Sequence, residues 1–180
     1  MKTKTTAMIA LTGMLLASGA VRGDDVKKAT PLPTTASAEI VWLNYDAGLA
    51  KAKAENKPIM LDFTTTWCGW CKKMERETFT DPKVARYLHD KIVTVKVWGD
   101  DTSKATMVSH NGERMTQRAL TQVYGVRGFP TFWFLDSSGG QIGPSPGYKN
   151  VDQFLPLIEY VAGSHYKTMS YESYLKKRSG

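Results

Sequence analysis

Two cysteines separated by two residues, Cys68 and Cys71, are the side chains of this chain best suited to chemistry. They are the only cysteines in 180 residues, so the chain can form at most one disulfide within itself. A bridge across so short a loop gains little stability from chain entropy. The pair therefore favours a chemical role over a structural one, and disulfide exchange and metal binding are the two chemistries to weigh.

The position of the pair favours disulfide exchange. A short apolar run at 59–63, typical of a buried strand, precedes the cysteines, and a helix is predicted from 72 to 78. At the start of a helix, free N–H groups and the helix dipole stabilise a thiolate and lower its pKa from about 8.5. We expect Cys68 to attack a disulfide and Cys71, one turn into the helix, to resolve the mixed disulfide. Gly69 leaves room for a partner chain.

Metal binding is the weaker alternative. Zinc takes about four protein or water ligands, and the further candidates are three histidines in separate segments, His89, His110 and His165. Haem attachment is not supported, because Lys72 rather than histidine follows Cys71. We expect neither a metal nor a cofactor.

Asp62 lies six residues before Cys68, within the apolar run. Burial disfavours a charged carboxylate, so we expect the pKa of Asp62 to be raised towards neutral pH, which suits proton exchange with Cys71. Lys96, in a predicted strand at 92–97, is a candidate partner across the sheet. The alternatives are a helix cap or an exposed strand end for Asp62 and an exposed position for Lys96.

Strand-like and helix-like segments alternate from residue 39 onward. The order predicts an α/β fold with a mixed central β-sheet and helices on both faces. Strands are predicted at 40–43, 59–63, 92–97 and 132–135, the last followed by a hairpin turn at 136–140. Helices are predicted at 46–55 with Asp46 as N-cap, at 72–78, from Pro82 with Asp81 as N-cap, at 114–124 and at 151–161. Residues 99–112 are predicted to be a polar loop. In the helix predicted at 151–161, Pro156 removes one backbone N–H donor.

The N-terminus has the layout of a secretory signal peptide at 1–23, with a basic start, a short apolar run and small residues. Cleavage after Ala20 or Gly23 fits equally, and a retained anchor is the alternative. Residues 24–38 are predicted to be a flexible linker, 39–163 the folded domain, and 164–180 a tail with a short helix. Export to the periplasm or medium would permit disulfides to form and persist, and we expect no stable membrane insertion after cleavage.

Net charge argues against a nucleic-acid partner. The formal charge of +7 falls to +4 when Lys2, Lys4 and Arg22 leave with the signal peptide. The remaining excess is spread along the chain, and its one dense basic cluster lies at 176–178 in the tail.

A resemblance to the thioredoxin superfamily extends from about residue 40 to 162. It rests on an acid six residues before the cysteines, on Gly128-Phe129-Pro130-Thr131 downstream, and on Trp67-Cys68-Gly69-Trp70-Cys71-Lys72. The stretch 71–84 resembles the periplasmic branch. That branch includes the C-terminal domain of the inner-membrane thiol reductant conductor and small secreted thioredoxins tied to sulfur oxidation and cytochrome maturation.

The resemblance implies a thioredoxin-like fold and a role for each matching residue. Cys68 matches the nucleophile, Cys71 the resolving thiol, Asp62 the buried acid and Lys96 its lysine partner. These four are the candidate catalytic residues.

The resemblance also implies a substrate-binding rim. Pro130 matches the cis-proline that faces the disulfide, and Phe129 would offer its backbone to an extended partner strand. Trp67 is predicted to shield the site. Trp70 departs from thioredoxin, which has proline there, so the direction of electron flow stays open. Its ring is predicted either to contact a partner or to pack on the domain.

We therefore expect an exported thiol-disulfide oxidoreductase, acting as a reductase on protein or small-thiol disulfides and recharged by a membrane thiol reductant. One alternative is a non-catalytic module that holds a partner through the Phe129-Pro130 groove and the tyrosine-rich tail. The other is an oxidase or isomerase.

Overall fold

The computed structural model describes residues 38–179. The predicted signal peptide and almost all of the predicted linker lie outside the described residues. No helix among the described residues is long and apolar enough to cross a bilayer.

Seven strands and six α-helices make up this part of the chain. The strands are β1 (Trp42–Leu43), β2 (Ile59–Thr64), β3 (Val93–Trp98), β4 (Val108–His110), β5 (Glu113–Met115), β6 (Thr131–Leu135) and β7 (Gln141–Pro146). The helices are α1 (Tyr45–Glu55), α2 (Gly69–Glu77), α3 (Pro82–Lys91), α4 (Gln117–Val123), α5 (Val151–Ala162) and α6 (Tyr171–Ser179). Two short 3₁₀ helices lie at Lys104–Thr106 and His165–Lys167.

Five of the strands form a mixed sheet in the order β1-β3-β2-β6-β7. β3 is parallel to both β1 and β2, whereas β6 is antiparallel to β2 and β7. Every residue of the central β2 is buried. The structure confirms the predicted fold class and the hairpin that joins β6 to β7.

The two faces of β2 belong to two apolar clusters. Ile59, Leu61 and Phe63 pack on one side with α1 and α4, and Met60 packs on the other with Met74 of α2 and with α3 and α5. Because side chains alternate along a strand, Asp62 lies on the same face as Met60. That face is the one that α2 covers, so the alternation directs the acid towards the helix that carries the cysteines.

The predicted cap of α1 is wrong. Asn44 is the N-cap, and its side chain accepts a hydrogen bond from the N–H of Ala47 at 2.9 Å. Asp46 lies in the first turn and accepts instead from the N–H of Ser109, at 2.8 Å. The Asp46 carboxylate, which local spacing predicted to cap α1, is thus bound by a residue far along the chain. The Asp81 cap and the Pro82 start of α3 are confirmed.

Residues 99–112 are more ordered than predicted. They contain a 3₁₀ turn and the strand β4, which pairs with β5 in a separate hairpin. The helix predicted from 114 begins only at Gln117, where Thr116 is the N-cap. The hairpin depends on long-range contacts: His110 Nδ1 is 2.7 Å from the hydroxyl of Tyr45 on α1.

The C-terminal segments pack on α5. This helix continues through Pro156, which is buried at its sixth position. The rings of Tyr171 and Tyr174 on α6 lie 5.2 and 5.4 Å from that of Tyr160 on α5. Arg178 forms an ion pair with Glu159 at 3.1 Å. These contacts fold the tail back onto the domain.

The contact between α1 and β3 leaves no room for a side chain at Gly48. A Cβ there would lie 2.1 Å from Cγ2 of Val95. We expect Gly48→Ala to lower the free energy of unfolding by about 1–3 kcal/mol, although alanine favours helix over glycine by about 1 kcal/mol. Urea denaturation measures the change. Gly69→Ala is the matched control, because no atom lies within 4 Å of a Cβ at Gly69. Equal stabilities for the two variants would contradict the tight contact.

Candidate active site

The cysteines lie at the start of α2 and are joined in a disulfide, with their Cα atoms 5.3 Å apart. Cys68 is the N-cap, and its Sγ accepts a hydrogen bond from the N–H of Cys71 at 3.0 Å. An N–H at a helix start is one of the groups that stabilise a thiolate. The local geometry therefore equips Cys68, rather than Cys71, to carry negative charge when the disulfide opens.

Two further segments meet the cysteine loop. The ring of Trp67 lies edge-on to that of Phe129 at 6.0 Å, which brings the 128–131 loop beside the cysteines. The Phe129–Pro130 peptide bond is cis. The carbonyl of Pro130 accepts from the N–H of Gly147 at 2.8 Å, so the residues that follow β7 adjoin the same loop.

The loop before Cys68 is held from its other side. The N–H and the hydroxyl of Thr66 both donate to Oδ2 of Asp100, at 3.0 and 2.5 Å. Asp100 follows β3, so these bonds tie the cysteine loop to the neighbouring strand. Trp67 nevertheless remains 69% exposed, and it therefore covers the site only in part.

Trp70 packs on the domain and also faces solvent. Its ring lies 5.6 Å from that of Tyr148, yet 59% of the residue is exposed. The hydroxyl of Tyr148 donates to Glu77 at 2.9 Å, and Lys73 bonds to the other oxygen of Glu77 at 2.6 Å. This network fixes Tyr148 beneath Trp70. The packing predicted for Trp70 is therefore present, and contact between its exposed part and a partner stays a prediction.

Asp62 is only 3% exposed, and its Oδ1 has no hydrogen-bond partner among the described residues. Lys96 stands opposite it in the register of β2 and β3, with its ammonium 4.0 Å from Oδ2. The alternatives of an exposed or capping Asp62 and an exposed Lys96 are therefore excluded, since the side chains of Lys96 and Asp62 are only 15% and 4% exposed. The predicted pairing across the sheet is confirmed.

Burial is the main reason that the pKa of Asp62 is raised to about 7, because a desolvated carboxylate is costly. The charge of Lys96 opposes this shift, and that of Glu75 adds to it. Lys96 also bonds to Glu75, so its ammonium is shared between two carboxyl groups. The acid on β2 can therefore gain or lose a proton near neutral pH.

Glu75 is a site residue that the sequence reasoning missed. It lies on α2 four residues after Cys71, a spacing that places two side chains on neighbouring positions of one helix face. That spacing was the available signal. The rings of Trp42 and Trp98, 4.5 and 5.8 Å from the Lys96 ammonium, were also missed. Trp98 follows Lys96 by two residues on β3, a spacing that places both side chains on one face of the strand. Trp42 lies on β1, and no local spacing connects it to Lys96.

Gly69, the remaining predicted site residue, also lies beside the disulfide. Gly69 is the first residue of α2, and no atom lies within 4 Å of the position that a Cβ would take there, which leaves its surface clear. Between residues 38 and 179, no group of three or more His, Cys, Asp or Glu side chains is placed to hold a metal ion.

A family model for the thioredoxin-like domain matches residues 45–162. The chain belongs to the thioredoxin-like family. Its Cys68–Cys71 pair makes it a member of the thiol-disulfide oxidoreductases of that family.

Individual relatives agree with this assignment. The thiol:disulfide interchange protein DsbD of Yersinia pestis (strain Pestoides F) is 35% identical over 110 residues, which cover 60% of this chain and 16% of that protein. The match thus spans about a sixth of the relative's length. A Thermus thermophilus thioredoxin structure has a TM-score of 0.54 and 28% identity, covering 70% of this chain and 88% of its own. A thioredoxin-fold protein from Helicobacter pylori, at 22% identity and a TM-score of 0.58, covers 69% and 86% and supports the fold alone.

Burial of Asp62 predicts a pH-dependent stability. An unfolded aspartate has a pKa of about 3.9, whereas that of Asp62 is about 7 in the fold. The unfolded chain therefore loses this proton first, and the native state loses stability as pH rises from about 4 to about 7. We expect Asp62→Asn to be more stable than the parent by about 2–4 kcal/mol at pH 8, and by far less at pH 4.

Urea denaturation of the oxidised proteins at both pH values measures this difference. Asp90→Asn, on the exposed side of α3, is the matched control. A difference between Asp62→Asn and the parent that is the same at both pH values would show that the pKa of Asp62 is not raised in the fold.

Proposed function

We propose that this protein is an exported thiol-disulfide reductase that acts through Cys68 and Cys71. The observation that carries the proposal is a disulfide at the start of α2, set between exposed aromatic rings, with a buried acid on the strand face beneath the helix. Thiol:disulfide interchange, for which the Yersinia relative is named, is consistent with this chemistry.

The reaction exchanges two electrons. In the reduced protein the Cys68 thiolate attacks one sulfur of a substrate disulfide, forms a mixed disulfide and releases the first substrate thiolate. Asp62 accepts the Cys71 proton, and the Cys71 thiolate then attacks the Cys68 sulfur of the mixed disulfide. This attack forms the Cys68–Cys71 bond and expels the second substrate thiolate. The substrate gains two electrons and the protein becomes the Cys68–Cys71 disulfide. A dithiol donor reverses these steps, with Asp62 returning the proton.

The acids near α2 support the reducing direction. A strongly oxidising pair has a stabilised reduced form, as in DsbA. Here Asp62 and Glu75 oppose further negative charge on the side of the helix that faces β2, and among residues 38–179 Lys96 is the cation that pairs with both. These acids therefore limit how far the reduced form is stabilised on that side of the helix, which favours donation of electrons to substrates. In this proposal the substrates are protein or small-molecule disulfides, and a membrane thiol reductant supplies the electrons.

Equilibrium titration against a glutathione or dithiothreitol buffer tests the direction. We expect a potential near that of thioredoxin, about −270 mV, rather than that of DsbA, about −120 mV. The reduced protein should also reduce insulin, and Cys68→Ser should abolish this activity. Cys71→Ser should instead accumulate a mixed disulfide that mass spectrometry detects. A potential near that of DsbA would indicate an oxidase, and unchanged behaviour of Cys68→Ser would indicate a binding module.

Export is the second part of the proposal, with residues 1–23 as signal peptide, 24–38 as linker and 39–163 as the catalytic domain. When the full chain is expressed in a Gram-negative host, we expect the periplasmic protein to begin at Val21 or Asp24. Replacing Leu15 and Leu16 by arginine should interrupt the apolar run and leave the precursor unprocessed. Intact-mass measurement of each cell fraction reads the outcome. An unprocessed parent chain held in the membrane fraction would support the anchor instead.

A further inference from the structure

The surface around the disulfide is basic. Three segments meet there, 66–73, 126–131 and 146–149, and together they contain no acidic residue but four basic ones, Lys72, Lys73, Arg127 and Lys149. The acids next to these segments are engaged: Asp100 accepts from Thr66, Glu75 pairs with Lys96, and Glu77 accepts from Lys73 and Tyr148.

Three of the four cations lack a carboxylate partner. Within residues 38–179, no carboxylate oxygen lies within 4.0 Å of the charged nitrogens of Lys72, Arg127 or Lys149. Lys72 and Arg127 are exposed, whereas Lys149 is half-buried. The ammonium of Lys149 donates to the carbonyl oxygens of Pro146 at 2.8 Å and Gly147 at 3.4 Å. The N–H of Gly147 donates to the carbonyl of Pro130. The Lys149 ammonium is therefore held beside residues 128–131, the cis-proline loop.

Aromatic pairs stand on both sides of the cysteines. Trp67 with Phe129 and Trp70 with Tyr148 leave two indole rings largely in water, immediately before Cys68 and Cys71 in the chain. Exposed tryptophan together with arginine is characteristic of the residues that dominate binding energy at protein interfaces. Neither indole belongs to the buried core, because Trp67 and Trp70 are among the exposed large apolar residues.

We propose that the partner of this surface is a protein segment in which acidic and apolar residues flank the reactive cysteine. Arg127, Lys149 and Lys72 attract the carboxylates, and the two aromatic pairs hold the apolar side chains on either side of the disulfide. This inference rests on the proposed exchange at Cys68–Cys71 and names its substrate class. An anionic membrane has similar chemistry, but a face laid on lipid would cover the disulfide and block exchange.

The test uses peptide disulfides that differ only beside the cysteine, where they carry glutamate, glutamine or lysine. The reduced protein passes two electrons to each peptide, and stopped-flow tryptophan fluorescence gives the rate constant. At about 0.01 M ionic strength, where the Debye length is about 30 Å, we expect the acidic peptide to react at least about tenfold faster than the basic one. At about 1 M, where it is about 3 Å, the rates should converge. Replacing the peptide's apolar residues by serine should slow all three.

Charge variants of the protein locate the effect. Arg127→Glu should reduce or invert the preference for the acidic peptide, and Lys149→Gln should weaken it. The control, Lys53→Glu with Lys83→Glu, reverses two exposed charges on α1 and α3 and should preserve the preference. The ratio of rates for the acidic and basic peptides is compared, because a general change in Cys68 reactivity cancels from it. Reduction of neutral hydroxyethyl disulfide monitors the chemistry itself.

Several outcomes would overturn the inference. Equal rates for the three peptides, or a preference that Arg127→Glu leaves intact, would show that the basic surface does not select substrates. Inhibition of hydroxyethyl disulfide reduction by phosphatidylglycerol vesicles, but not by phosphatidylcholine vesicles, would assign the surface to a membrane. Failure to reduce even hydroxyethyl disulfide would overturn the proposed function and this inference with it, whereas uniform peptide rates leave the proposed function standing.

Discussion

Burial of the Asp62 carboxyl group is the constraint on which the rest of the site depends. A carboxyl group in a central strand is tolerated when it holds its proton or when a cation lies close by. The fold supplies both conditions. Burial raises the pKa of Asp62 to about 7, and the parallel register of β2 and β3 places Lys96 opposite it. Glu75 then competes for the same ammonium from α2. The pKa of Asp62 therefore depends on a charge on a strand and on a charge on a helix. That helix is α2, which begins at the disulfide.

The rim around the cysteines is rigid on the side of the protein and open on the side of the solvent. Thr66 is tied to Asp100, Tyr148 to Glu77, and the cis-proline loop to Gly147. These contacts come from separate parts of the chain, and they hold the tryptophan rings without burying them. Such preorganisation lowers the entropic cost of ordering an interface when a partner binds. Of the basic side chains, Lys149 is held in the same way, by the carbonyl oxygens of Pro146 and Gly147.

Local patterns predicted most of the fold, since apolar periodicity and turn residues act over a few neighbouring positions. The buried run of β2, the Asp81-Pro82 start of α3 and the β6–β7 hairpin follow from such patterns. The errors occurred where a distant segment supplied the stabilising contact. Asn44 rather than Asp46 caps α1, because the Asp46 carboxylate accepts the N–H of Ser109 instead. The region predicted as a polar loop gained its hairpin through packing against α1, which its own composition does not reveal.

For the site, the sequence by itself determined the chemistry: a cysteine pair at a helix start, an acid on the preceding strand and a proline loop downstream. The cysteine pair and the acid are encoded by residue type and short spacing, whereas the resemblance to the thioredoxin superfamily implied that the proline loop belongs to the site. The tertiary structure decided the environment of each group. It brought Glu75 and two tryptophan rings to Lys96, placed Tyr148 under Trp70, and left Lys149 without a carboxylate beside the cis-proline loop. The physical reason is that desolvation, charge pairing and ring contact depend on distances in space, which only the folded chain establishes.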